Sequence, residues 1–197
     1  EVSSHALDQG RVHALRFDAA VFTNLSRDHL DYHGTMEAYR AAKRSLVRLL
    51  RAGGAAVVNA DDPAWDGLAA EAPRALCYSL RPDSDAELRA AALRTDAAGA
   101  RFELCAPAGT APVALPLLGA FNVQNALAAA GAALALGLSL ERVAERLGTV
   151  PQVPGRLERI ADRPCPVLRD YAHTPDALER VLATLRPLVS GRLIVVF

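Results

Sequence analysis

In the stretch TNLSRDHLDYHGTMEAYRAAKRSL, residues 23–46, Asp28, His29, Asp31 and His33 fall within six positions, and Lys43 follows on a helical pattern. Carboxylates and imidazoles this close in sequence can ligate a metal, although D-H-x-D-x-H matches no zinc spacing. The plainer alternative is a polar loop with surface histidines. Met36, Tyr39, Leu46 and Leu50 recur at helical offsets, and Lys43 stands in the middle of that apolar stripe. Arg40, Arg44, Arg48 and Arg51 lie off it. A buried ammonium is costly, so a lysine placed there shifts its pKa or finds a partner. One reading is that Lys43 snorkels, its stem covering apolar surface. The other is a functional amine beneath the Asp/His loop. Neutral, such an amine is nucleophilic and can take up carbon dioxide as a carbamate, an oxygen ligand for a hard cation.

The elements that must position these groups read as α/β. FDAAVFTNLS (17–26) is a strand running into a polar loop. Residues 35–51 are expected to be a helix, with Thr35 as N-cap and Gly53 and Gly54 as its stop. AAVVNADD (55–62) and ALCYSL (75–80) are short buried strands, and residues 86–107 a hairpin turning at Ala98 and Gly99. Residues 121–136 form a helix apolar nearly all round, expected to be fully buried and stopped by Gly137. Ser139 caps a second helix through Leu147, and VPQVPGR (150–156) has the composition of a linker. Beyond it, CPVLRDYA (165–172) is a strand, residues 173–189 a helix with Pro175 near its start, and RLIVVF (192–197) a strand. Together they form a βαβ unit that opens a parallel sheet. The expected organisation is one α/β domain over residues 1–154 and a second beginning at 155–197.

Lysine plus arginine and aspartate plus glutamate balance at 22 each, which argues against nucleic acid or an anionic membrane as partner. Cys77, Cys105 and Cys165 show no paired spacing, which suits a reducing cytosol rather than a disulfide framework. The longest apolar run, 126–138, is too short to span a bilayer and contains two glycines. The chain begins at Glu1 without a methionine and stops on an apolar strand pattern. A buried parallel strand needs cover on both faces, so a piece of a longer protein is expected.

Six stretches in order along the chain carry a resemblance: EVSSHALDQGRV (1–12), FTNLSRDHLDYHGTMEAYRAAK (22–43), VNADD (58–62), GAFNVQNALAA (119–129), PGRLER (154–159) and DYAHTPDAL (170–178). Together they resemble the Mur ligase family of ATP-dependent amide ligases. The resemblance implies part of the family's central ATPase-type domain, followed by the start of a C-terminal Rossmann-like α/β domain. It implies that Lys43 is carbamylated and that Glu1, His29 and Lys43 bind magnesium near the ATP γ-phosphate, with His29 and Lys43 as the catalytic pair. Ser3, Gln9 and Arg11 match positions that hold the UDP-muramoyl-dipeptide. Asn122, Asn125, Arg156, Asp170 and His173 match nucleotide contacts. Bland roles stand beside these: Asn122 is a good N-cap with Phe121 as a staple, the His-Thr-Pro corner is a natural helix start, and Arg11 can be a solvated arginine.

The implied reaction adds meso-diaminopimelate, or alternatively lysine, to UDP-N-acetylmuramoyl-L-alanyl-D-glutamate through an acyl phosphate, in peptidoglycan precursor synthesis. ATP is a substrate, and a monomer in the cytoplasm is expected. The family's G-x-x-G-K-T phosphate loop is not in this sequence and would lie before Glu1, so the 197-residue piece alone is expected to be inactive. Other readings are a sibling Mur-type or folylpolyglutamate-type ligase, a metallohydrolase with a carbamylated lysine, and a non-catalytic nucleotide-binding relative.

Overall fold

Small and β-branched residues at 55–58 leave no polar side chain to solvate, and the computed structural model buries that run on both faces. Ala55, Ala56, Val57 and Val58 are each at most 3% exposed. The structure describes residues 1–196, apart from the side chain of Asp176. The run belongs to β2 (Leu50–Asn59), which pairs in parallel with β1 (Phe17–Phe22) on one side and β3 (Arg74–Ser79) on the other. β4 (Leu88–Asp96) continues the parallel set, and β5 (Gly99–Ala106) and β6 (Gly109–Leu115) extend it antiparallel. The six strands stand in chain order, β1-β2-β3-β4-β5-β6.

Alternation along β2 divides the core. Val57 points to one face, where it meets Tyr78, Leu88 and Leu104 beneath Val123 and Leu127 of α4 (Ala120–Ala135). Ala56 and Val58 point to the other face, against Phe22, Val47, Trp65 and Leu68. α4 lies close on the sheet because Gly131 has no side chain: a Cβ there would stand 2.5 Å from Val57 Cγ1. α5 (Leu140–Gly148), capped by Ser139 as expected, closes over β6. No helix among the described residues is long and apolar enough to cross a membrane.

Several expectations need correction. The helix that begins at the Thr35 cap is α3 (Met36–Arg44); a 3₁₀ segment, Ser45–Leu49, follows, and Leu50 already starts β2. Gly53 and Gly54 therefore do not stop a helix; they lie in a bulge of β2. Between the Phe17–Leu50 and Ala19–Ala55 pairs, β2 advances five residues while β1 advances two. A Cβ on Gly54 would meet the Phe17 carbonyl at 2.9 Å, which is why glycine stands there. The hairpin turn falls at residues 97–98, one position earlier than expected, since Asp96 pairs with Gly99. α4 is not fully buried, because Asn125 and Ala129 are exposed. Nor does Asn122 cap it. Gly119, at φ +90°, is the N-cap, and Asn122 lies in the first turn with its amide donated to the Leu118 carbonyl at 2.9 Å.

Towards the C-terminus, β7 (Glu158–Ala161) and β8 (Val167–Arg169) pair antiparallel, and α6 (Pro175–Leu185) follows. The expected opening of a parallel sheet is not formed. The short link between β7 and β8 makes a hairpin, and residues 192–196 join no ladder; Phe197 lies outside the described residues. Leu193 packs with Leu157 and Leu185, while Ile194 and Val196 stay exposed. The fold class is α/β, as expected.

Candidate functional site

The loop leaving the carboxyl end of β1 is fixed from three sides. Tyr78 Oη donates to the Phe22 carbonyl at 3.2 Å, Trp65 Nε1 to the Thr23 carbonyl at 3.0 Å, and the Leu25 N–H to Asp62 Oδ2 at 2.6 Å. Asp62 can do this because its other oxygen caps the 3₁₀ turn Pro63–Trp65. The loop ends at His29, which adopts a left-handed backbone at φ +53°. That conformation is uncommon outside glycine, and Asp28 supports it by accepting the His29 N–H at 2.8 Å. His29 then starts α2 (Leu30–His33), which leads through Gly34 to α3.

Four imidazole and phenol rings gather around His29 and α2. His5, on α1 (Ser4–Asp8), lies 4.9 Å from the His29 ring, 4.2 Å from Tyr32 and 5.5 Å from His33. Buried Tyr39 of α3 stands edge-on to His29 at 5.8 Å. One turn further along α3, Lys43 is half-buried, and its Nζ has a single long contact, 3.4 Å to the Val2 carbonyl. Burial pushes its pKa down; the charges of Glu1 and Asp28 oppose this without cancelling it. Glu1, Lys43, Tyr39 and Leu46 line one groove of about 510 Å³ with Thr23, Asn24 and Leu25. Among the described residues no three His, Cys, Asp or Glu side chains form a ready metal cluster.

A second cleft, about 200 Å³, lies between α4 and the C-terminal segment. Asn24, Phe121, Gln124, Asn125, Arg156, Asp170 and Arg180 line it. It adjoins an apolar slot of about 410 Å³ bounded by Leu115, Leu117, Ala129, Leu147 and Val150, with Asn122, Asn125 and Arg156 at its border. The exposed strip of α4 at Asn125 and Ala129 is thus the wall of a cavity. Arg156 rides on a braced turn. Leu157, at φ +46°, donates its N–H to Asp170 Oδ2 at 2.8 Å, and the Gly155 N–H goes to Glu158 Oε2 at 2.8 Å. Asp170 Oδ1 also accepts from the Ala172 N–H. Gln124 approaches Asn59 and Asp61, both at 3.4 Å, and Asp61 in turn accepts from the Leu80 N–H and Arg81.

The residues singled out in the sequence therefore fall into three groups. Glu1 and Lys43 share the groove, whereas His29 is not in its lining and reaches it only through the edge-on ring contact with Tyr39 at 5.8 Å. Asn122, Asn125, Arg156 and Asp170 share the cleft and its slot, whereas His173 lies on the surface with Nδ1 2.8 Å from the Tyr171 carbonyl oxygen. Ser3 caps α1 by accepting the Ala6 N–H at 3.1 Å, and Gln9 and Arg11 are exposed just beyond that helix. Asn24 and Gln124 went unnoticed in the sequence. Asn24 had one signal, a polar residue just past the carboxyl end of a strand, where α/β sheets hold ligands. The arrangement offers an apolar slot edged by amides, a guanidinium beside it, and a groove with a half-buried amine and the Glu1 carboxylate. That is a setting for a planar base, an anionic tail and a cation.

Comparison with known proteins gives a consistent result. The Mur ligase middle domain matches residues 1–133, and the glutamate ligase domain of Mur ligases matches residues 155–197. The UDP-N-acetylmuramoyl-L-alanyl-D-glutamate–2,6-diaminopimelate ligase of Gloeobacter violaceus is 49% identical over 199 residues, covering 100% of this chain and 40% of the relative. The enzyme of the same name from Xanthomonas oryzae pv. oryzae is 50% identical over 203 residues, covering 100% and 41%. A solved structure of a ligase of that name superimposes with a TM-score of 0.82 at 42% identity, covering 97% of this chain and 40% of that one. The chain thus spans about 40% of the length of the curated relatives it matches.

Proposed function

The chain belongs to the Mur ligase family, and we propose that it is part of an ATP-dependent ligase that extends UDP-N-acetylmuramoyl-L-alanyl-D-glutamate by one diamino acid. Diaminopimelate is the first choice, in keeping with the relatives' names, and lysine the alternative. The observation that carries the reading is the meeting of the two cavities at Asn24, which lines both the Glu1–Lys43 groove and the Asn125–Arg156–Asp170 cleft. A nucleotide whose base lies along the slot beside Asn122 and Asn125 could thereby direct its phosphates past Arg156 and Asn24 towards Lys43.

Lys43 enters this scheme as a neutral amine. Burial lowers its pKa, so more of the amine is free to attack carbon dioxide; the new N–C bond forms and one amine proton leaves to solvent. The product carries two oxygens and a negative charge. Only this form suits a hard cation, since an ammonium at position 43 would repel one and Glu1 with His29 makes just two ligands. Glu1, His29 and carbamylated Lys43 would hold magnesium, which when bound neutralises charge on the transferring phosphoryl group. Ser3, Gln9 and Arg11 would hold the muramoyl dipeptide, with Arg11 suited to bidentate contact with a carboxylate or phosphate. The D-glutamyl carboxylate takes the γ-phosphoryl group, the incoming amine attacks the acyl phosphate, and phosphate leaves as the amide forms. The residues contribute positioning and fixed charge. His173 would sit at the edge of the nucleotide site, and the two domains would divide at residues 154/155. A monomer in the cytoplasm is the expected context.

The test uses the full-length enzyme. ADP and phosphate release should require both the muramoyl dipeptide and a diamino acid, and hydroxylamine should trap the activated D-glutamyl group when the amine is withheld. ATP turnover indifferent to the dipeptide, or no turnover with either diamino acid, would refute the reading.

A further inference from the structure

The orientation of the Gln9 amide is dictated by a hydrogen-bond chain from α1 to α2. Tyr32 Oη lies 2.8 Å from Asp8 Oδ2 and 3.2 Å from Gln9 Nε2. An ionised carboxylate only accepts, so the phenolic proton goes to Asp8. Tyr32 Oη then offers lone pairs alone to Gln9, and lone pairs require a donor. The Gln9 NH₂ must face the tyrosine, and its carbonyl oxygen must face away; the chain of donors and acceptors decides the amide orientation independently of how the two atoms are drawn. The tyrosine is itself braced. Its ring packs at 4.2 Å on His5 and stands edge-on to His33 at 4.8 Å, and His33 lies 5.4 Å from buried Tyr39.

We propose that Tyr32 and Asp8 are positioning residues that set Gln9 as a hydrogen-bond acceptor, so that it selects an N–H or O–H group of the UDP-muramoyl-dipeptide. The inference rests on the reading of Gln9 as a substrate contact. A glutamine free to rotate its amide presents donors as readily as an acceptor, and a site built for a donor group then loses its partner part of the time. Tyr32 acts only through Gln9 and touches no substrate.

The experiment measures KM for the UDP-muramoyl-dipeptide in the full-length ligase, with KM for ATP as internal reference. The variants are Gln9→Ala, Tyr32→Phe, the two combined, and Asp8→Asn. Tyr32→Phe should raise the dipeptide KM about twofold, because an amide free to rotate presents its oxygen about half the time, and leave the ATP value in place. In the Gln9→Ala background the same change should add nothing, because the group it orients is gone. Asp8→Asn keeps the shape but can donate to Tyr32 Oη, turning the phenolic proton towards Gln9, and should raise the dipeptide KM in the same direction. An unchanged KM in Tyr32→Phe, or a rise that persists in the Gln9→Ala background, overturns the proposal while leaving the ligase reading intact. An unchanged KM in Gln9→Ala removes the substrate role of Gln9 and the proposal with it.

Discussion

Replacing Lys43 separates a chemical role from a packing one, because the two predict changes in different quantities. Lys43 Nζ makes one contact, at 3.4 Å, so truncation to alanine forfeits almost no hydrogen bonding. What is lost is the packing of the half-buried stem. About two methylenes' worth of burial gives about 1.5 kcal/mol, offset in part by removing an ammonium that the site desolvates. The folded state should survive. If the lysine only snorkelled, kcat would follow stability and change little. As a carbamate beside transferring phosphate it should matter far more. Losing a preorganised electrostatic group of this kind costs about 10²–10³ in kcat, and a metal ligand lost with it adds to that. Lys43→Ala in the full-length ligase should therefore lose about 10³-fold or more in kcat with a Tm near that of the parent. Formate or acetate, small enough for the vacated room, should restore part of the activity. Lys43→Arg keeps a cation that cannot be carbamylated, so it should be as inactive and resist rescue. Coupled ADP-release assays with and without carboxylate give the answer. A kcat within about tenfold of the parent in either variant, where about 10³ is expected, would return Lys43 to an ordinary surface-covering role.

Two further perturbations probe the framework. Gly131→Ala should destabilise despite a gain of about 1 kcal/mol in helix propensity, because the new Cβ falls 2.5 Å from Val57 Cγ1 and 2.9 Å from Leu88 Cδ1 in a fully buried strand–helix contact. Overpacking of about 1–3 kcal/mol outweighs the gain, and a raised denaturation midpoint would contradict the packing argument. Glu158 has its pKa held below the usual glutamate value by the Gly155 N–H first and Arg169 second. A lowered folded-state pKa stabilises above the unfolded value and loses that contribution as pH falls through the folded one. The Gly155 amide resonance should therefore titrate with a midpoint below that of an ordinary glutamate, and Glu158→Gln should abolish the titration. A midpoint at the ordinary value would show that the clamp on the Arg156 turn does not form.

Features governed by local chemistry were legible in the sequence. The apolar run at 55–58 announced a buried strand, and Thr35 and Ser139 announced helix starts. Lys43 on an apolar stripe was visible because helical spacing alone puts it beside Tyr39 and Leu46, and the groove contains all three. The end of that helix was not legible. Leu46 and Leu50 keep an apolar spacing that a 3₁₀ turn followed by a strand satisfies equally, and two glycines resemble a helix stop until β1 is present to pair with the bulge they permit. β6 carries Pro112, a residue that argues against a strand in the sequence but is tolerated at the sheet edge, where one missing N–H breaks little. RLIVVF has the composition of a strand, but composition supplies no neighbouring ladder, and residues 192–196 have none. In the site, Asn24 and Gln124 lie a hundred positions apart in sequence and share a cleft only after α4 crosses the sheet. The Asp8–Tyr32 pair, 24 residues apart, depends in the same way on α1 meeting α2.

The strand order has a consequence in time. From β2 onward, each strand leaving the ribosome finds its hydrogen-bonding partner already made, directly upstream, so these strands can pair as they are synthesised. α4, which covers one face of these strands, follows all six of them. About 60 residues separate the end of β2 at Asn59 from Ala120. At about 5–20 residues per second this is an interval of about 3–12 s, during which Val57, and later Tyr78 and Leu88, wait on an open apolar face for Val123 and Leu127. For those seconds this part of the sheet lacks the cover that α4 gives it. Chaperone binding, or association between neighbouring nascent chains, should concentrate on that face and end when α4 emerges.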